Sequence, residues 1–175
     1  RLFHFGYPPV MRELYRNGGV ELERVLRIPC DQGIAVSLDL ALPDPNSEAG
    51  GADWREILRR VAPLVDIFLP SFEELALMLN RPLFDDLEAR AGQADMVDFV
   101  TPEELRSLGD RAMELDIPVT GIKLGHRGFY LRTGGGDRLG ELSSRLSLDR
   151  SDWSDRELFS ESYRVERLAS TTGAG

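Results

Sequence analysis

Apolar positions fall into short solid runs and longer amphipathic stretches that alternate along the chain. Residues 2–6 read as a short buried strand ended by the Gly6-Tyr7-Pro8-Pro9 turn. Pro8 and Pro9 can open a helix whose apolar side is Met11, Leu14 and Tyr15, up to Asn17-Gly18-Gly19. A second helix starts near Val20, with Leu22, Val25 and Leu26 on one face, and Pro29 ends or bends it. Residues 34–40 are apolar almost throughout, as a strand covered on both faces of a parallel sheet should be. After a Pro-, Gly- and acid-rich surface loop at 43–52, Asp53 and Glu56 mark a helix start, and Ile57, Leu58, Val61 and Leu64 give its buried stripe.

The second half repeats the alternation. Residues 65–69 form a strand that runs into Pro70-Ser71-Phe72-Glu73-Glu74, where Ser71 and Glu74 make a capping box, and Leu75, Met78 and Leu79 line the following helix. Residues 80–100 predict only a partly helical excursion. Thr101-Pro102-Glu103-Glu104 is a strong helix start, with Leu105, Leu108, Ala112 and Met113 on its core side. Residues 117–123 form the next strand, and a glycine turn leads to a returning strand at 129–132. From Gly134 to Ser160 the chain reads as a loose, charged stretch anchored by Trp153 and Phe159, before a last strand at 162–165. Trp153 reads as core or as a stacking face for a base. No internal repeat appears. The pattern predicts a three-layer α/β/α sandwich on a mainly parallel sheet, as a single domain over residues 1–175.

Composition narrows the partners. With 175 residues and 42% hydrophobic content the chain can bury a proper core. A net charge of −9 and a pI near 4.8 argue against nucleic acid or an anionic membrane as the main partner. A phosphate ligand would then have to be held by local amides and one or two cations. The single Cys30 excludes an internal disulfide, and with only His4 and His126 beside it there is no zinc set, which fits a reducing cytoplasm. Of 21 basic residues only Lys123 is a lysine. The strand-like start leads us to expect further chain upstream of Arg1.

Ligand-compatible groups gather at strand ends, where open α/β sheets bind their ligands. Asp39 ends one strand and reads equally as a site residue or as a cap for the loop after it. Ser71 and Glu74 follow another; they satisfy each other as a helix cap, and Glu74 is also placed to order metal-bound water. Lys123, Gly125 and Gly128 form either a plain hairpin turn or a turn that lets backbone approach phosphates beside a point charge. His126 and Arg127 read as surface residues. The tail, Ser170-Thr171-Thr172-Gly173-Ala174-Gly175, reads as a flexible end or as a nest of amides for an anion.

That tail resembles the Asp-Thr-x-Gly-Ala-Gly-Asp signature of the ribokinase-like (PfkB-type) carbohydrate kinases, with Ser170 in place of the first Asp. Lys123, Gly125 and Gly128 are similar to the same family's glycine turn, and Ser71 with Glu74 to its Asn-x-x-Glu motif, Ser71 replacing Asn. The resemblance covers nearly the whole chain. It implies a ribokinase-like fold and an ATP- and Mg2+-dependent kinase that phosphorylates a hydroxyl of a sugar or sugar-like alcohol. It further implies an anion hole at Gly173, Ala174 and Gly175, nucleotide contacts at Lys123, Gly125, Gly128 and Ser71, magnesium held through water by Glu74, and a substrate contact at Asp39. The base would be an Asp directly after Gly175, so we expect an inner piece of a kinase, without the family's N-terminal lid strands and C-terminal helices, and inactive by itself. A homodimer of the full-length protein is compatible with the family. Leu40-Ala41-Leu42-Pro43 stand where polar sugar contacts are usual, so no particular sugar is named. The departures at Ser71 and Ser170 keep a second expectation open, a non-catalytic nucleotide- or sugar-binding sensor or scaffold. A dinucleotide-binding dehydrogenase fits less well, since no Gly-x-Gly-x-x-Gly follows an early strand.

Overall fold

A computed structural model describes residues 1–163. The expected anion hole at Gly173, Ala174 and Gly175, together with Ser170, lies outside the described residues, as do the last two positions of the strand expected at 162–165. In order come β1 (Leu2–Phe5), a 3-10 turn (Pro8–Val10), α1 (Arg12–Tyr15), α2 (Val20–Asp31), β2 (Ala35–Leu38), α3 (Trp54–Val61), β3 (Ile67–Phe68) and α4 (Phe72–Leu79). Then follow α5 (Arg81–Ala91), a 3-10 turn (Met96–Phe99), α6 (Pro102–Met113), β4 (Val119–Lys123), β5 (Phe129–Thr133), α7 (Asp137–Leu146), α8 (Arg150–Trp153) and β6 (Glu157–Ser160).

The strands form one six-stranded sheet in the order β1-β2-β3-β4-β5-β6. The first four run parallel, and β5 and β6 complete an antiparallel edge. Since the order never reverses among β1 to β4, the crossover helices collect on one face. There Leu22 and Leu26 of α2, Ile57 and Val61 of α3, Phe72 and Leu75 of α4, Phe84 of α5 and Leu108 of α6 pack with Val36, Leu38, Phe68 and Ile122. This is the main core.

The opposite face needs another cover, and α7 supplies it. Leu139 and Leu142 pack on Ala35 and Val119, with Ile67, Leu131, Leu146 and Trp153 around them. The stretch 134–160 is therefore not loose, contrary to the expectation from sequence. Its leucines at 139, 142 and 146 follow helical spacing, but glycines and charges around them mask it. Two arginines fasten α7 to the sheet: Arg138 donates to the Val65 carbonyl at 2.8 Å, and Arg145 to Asp66 Oδ2 at 2.9 Å. Asp66 is buried, also accepts the Val36 amide at 2.9 Å, and has its carboxyl raised above the usual range by that burial. Trp153 takes the packing role, whereas Phe159 is 52% exposed and belongs to neither core cluster.

Smaller differences have local causes. β6 begins at Glu157, earlier than the last strand predicted. Pro8 and Pro9 open only a 3-10 turn, since Met11 is extended (φ −114°, ψ 99°) and restarts the chain as the single turn α1. Pro29 lies inside α2, which runs on to Asp31. The excursion at 80–100 is a full helix, α5, followed by its 3-10 turn.

Candidate functional site

The carboxyl ends of β2, β3 and β4 lie side by side, and each delivers residues of the predicted site. Asp39 follows β2 and extends its ladder, its amide bonding the Phe5 carbonyl at 2.9 Å. By strand alternation Asp39 stands on the same face as Ala35, the face that α7 covers at the other end of the strands. Its Oδ1 accepts the Leu40 amide at 2.8 Å and the Lys123 ammonium at 2.7 Å. Lys123 closes β4, on the same face as Val119, so its side chain crosses the end of β3 to reach Asp39.

Between them, Pro70 ends the β3 strand path and Ser71 caps α4. The Lys123 amide bonds the Pro70 carbonyl at 2.9 Å, and a parallel bridge pairs Ser71 with Lys123, which brings the start of α4 against the end of β4. The capping box forms as the spacing predicted: Ser71 Oγ accepts the Glu74 amide at 3.2 Å, and Glu74 Oε2 accepts the Ser71 amide at 2.6 Å. Glu74 is buried. Burial raises its carboxyl above the usual range, against the opposing pull of the Ser71 amide and the Lys123 charge. Asp39, Glu74 and Lys123 thus form one charged cluster drawn from three neighbouring strand ends.

The glycine turn between β4 and β5 borders this cluster. Gly125 has φ +52° and nothing within 4 Å of where a Cβ would stand, so its backbone faces open space. Gly128, at φ +119°, is confined instead: a Cβ there would strike the Ser160 carbonyl oxygen and come within 2.9 Å of Glu161 Cα. The two glycines serve different ends, access at one and close packing against the end of β6 at the other. Arg127 is no mere surface residue, because its guanidinium donates to the carbonyls of Val97 and, at 2.7 Å, Val100. His126 is exposed, with Nε2 2.8 Å from Asp98 Oδ1. The turn is thereby tied to the 3-10 segment before α6, a link that no spacing in the sequence announces.

A groove of about 530 Å3 lies on the α6 face of the sheet, between Thr101 and Leu105 of the α6 start, Arg127 of the glycine turn, and Tyr130, Glu157 and Phe159 of the edge strands. Its charged groups are engaged within the protein: Arg106 meets Glu157 at 2.9 Å, the Tyr130 hydroxyl donates to Glu157 at 3.0 Å, and Arg127 is held by the Val97 and Val100 carbonyls. Asp39 and Lys123 stand on the other face of the sheet. We therefore take the Asp39, Glu74 and Lys123 cluster, not the larger groove, as the candidate site.

Among the described residues no group of three or more His, Cys, Asp or Glu comes together to hold a metal. No helix of the described residues is long and apolar enough to cross a membrane.

The sequence matches no family model and no curated protein. Solved structures do match. A putative ribokinase II from E. coli in its apo form is similar over 99% of this chain at 19% identity, with a TM-score of 0.51. The putative ribokinase II from E. coli in complex with ATP and Mg2+ is similar over 95% of the chain at 17% identity, with a TM-score of 0.53. The chain spans about two fifths of each, 41% and 39% of their lengths. The fold is ribokinase-like, as the strand-end motifs led us to expect.

Proposed function

We propose that this chain is part of a magnesium- and ATP-dependent kinase acting on a hydroxyl of a sugar or sugar-like alcohol. The observation that carries the reading is the meeting of Asp39, Glu74 and Lys123 at three adjacent strand ends of a ribokinase-like sheet, beside a glycine turn open to approach. A related fold solved with ATP and Mg2+ supports it.

The residues present fit such a ligand. Magnesium bound to phosphates keeps most of its waters and asks for only one or two protein carboxylates, so a single Glu74 acting through water suffices where no direct cage exists. The nucleotide would supply the phosphoryl group. Lys123 would place one positive charge beside the phosphates, and the backbone at Gly125 would approach them closely, with Gly128 keeping the turn in shape. Ser71 would hold Glu74 in place through the capping box and border the nucleotide. From the resemblance alone, Gly173, Ala174 and Gly175 would add the amides of an anion hole, and the proton acceptor would follow Gly175.

Titration of the full-length protein by calorimetry with a non-hydrolysable ATP analogue, with and without magnesium, tests this. Magnesium-dependent binding that weakens in Glu74→Gln is expected. Unchanged binding in that variant would reduce Ser71 and Glu74 to a helix cap, and no binding by the wild type would sink the nucleotide site. The closed Ser71 and Glu74 pair, complete without any ligand, favours one second reading, a non-catalytic nucleotide- or sugar-binding domain. Binding of the analogue without turnover of any sugar alcohol by the full-length protein would select it.

A further inference from the structure

Lys123 is the only lysine of the chain, and its ammonium does not stand free at the strand ends. It reaches over β3 to Asp39, at 2.7 Å, with its side chain 24% exposed and that of Asp39 12%. The carboxylate is itself fixed. Its Oδ1 accepts the amide of Leu40, so backbone and not solvent sets where the negative charge lies. An ammonium has three donors, and Asp39 takes one of them, which leaves donors for a second anion without breaking the pair. A long, flexible side chain is thereby held in one place over the end of the sheet, and its ordering is complete before any ligand arrives.

We propose that Asp39 is a positioning residue for Lys123: it holds the ammonium where a nucleotide phosphate is bound, and does not itself contact the ligand. The inference rests on the nucleotide reading above and departs from the substrate contact that the resemblance implied for Asp39. It makes two alternatives distinguishable. Were Asp39 a sugar ligand, nucleotide affinity would not depend on it. Were it a competitor for Lys123, removing its charge would strengthen nucleotide binding.

The test uses the full-length protein, its Asp39→Asn and Lys123→Met variants and the double variant, each titrated with an ATP analogue plus magnesium and, separately, with adenosine. Both single variants should bind the analogue about tenfold more weakly, the worth of one charge-assisted hydrogen bond. The double variant should be no weaker than Lys123→Met alone, since the two act as one unit. Adenosine, which has no phosphate, should bind all four proteins alike. A second readout does not rely on affinity: the Lys123 side-chain NMR resonance, identified by its loss in Lys123→Met, should move in Asp39→Asn. Tighter or unchanged analogue binding in Asp39→Asn, additive losses in the double variant, an equal loss for adenosine, or an unmoved Lys123 resonance would each overturn the proposal. Failure of the wild type to bind the analogue would instead remove the nucleotide reading, and the positioning role with it.

Discussion

Burial raises the Glu74 carboxyl above its usual range, so folding favours the neutral form of this side chain. The stability gained from protonation is complete below the unfolded value near 4.5 and is lost as pH rises through the folded value. Glutamine can replace glutamate in a capping box. Glu74→Gln should therefore match the wild type in Tm at pH 4 and exceed it at pH 8, measured by thermal unfolding. A wild type that stays ahead at pH 8 would show that the charge is well compensated by Lys123. The two glycines of the turn differ in the same concrete way. Gly125→Ala should cost about 1–2 kcal/mol for its positive φ, whereas Gly128→Ala must also push away the end of β6 and should cost more, as denaturant titration would read. At this scale the sequence was informative for near neighbours only. Ser71 and Glu74 are three positions apart, and their capping box could be read directly. Asp39 and Lys123 are 84 positions apart, and no periodicity says that their strands stand two places apart in one sheet.

Among the elements, α7 was the hardest to read and carries a clear structural task. Its three leucines are a sparse stripe, and its first turn follows Gly134-Gly135-Gly136, which reads as a loop by every local rule. What makes it a helix is tertiary: an apolar patch of Ala35, Val119 and Ile67 left uncovered by the crossover helices, and a buried Asp66 that needs a cation. Leu142, fully buried, should cost about 2–5 kcal/mol on truncation to Ala. Arg145→Met should also destabilise, because it strands the Asp66 charge, and adding Asp66→Asn should recover part of the loss since no charge is then left unpaired. Equal stability of the single and double variants would mean that Arg138 or water already compensates Asp66. The strands and crossover helices, by contrast, were legible because their solid apolar runs and capped amphipathic stretches coincide with the buried residues observed.

Over the whole molecule the mainly parallel sheet with helices on both faces agrees with the sequence pattern, and the fold agrees with the ribokinase-like resemblance. Protection is not uniform across it. β2 is buried at all four positions, while every residue of β6 is exposed. Native-state hydrogen exchange should find β6 amides exchanging first and those of β2 last, with opening energies that rise from the edge inward; a β6 as protected as β2 would point to a further cover on that edge. The sheet order has one more consequence. Among the described strands it repeats the order of the chain, so each strand from β2 to β6 finds a partner that has already left the ribosome. Synthesis at about 5–20 residues per second is slow beside the pairing of a strand, which takes microseconds. The described part of the sheet can thus be laid down like courses of brick, each strand after β1 pairing with the one made just before it.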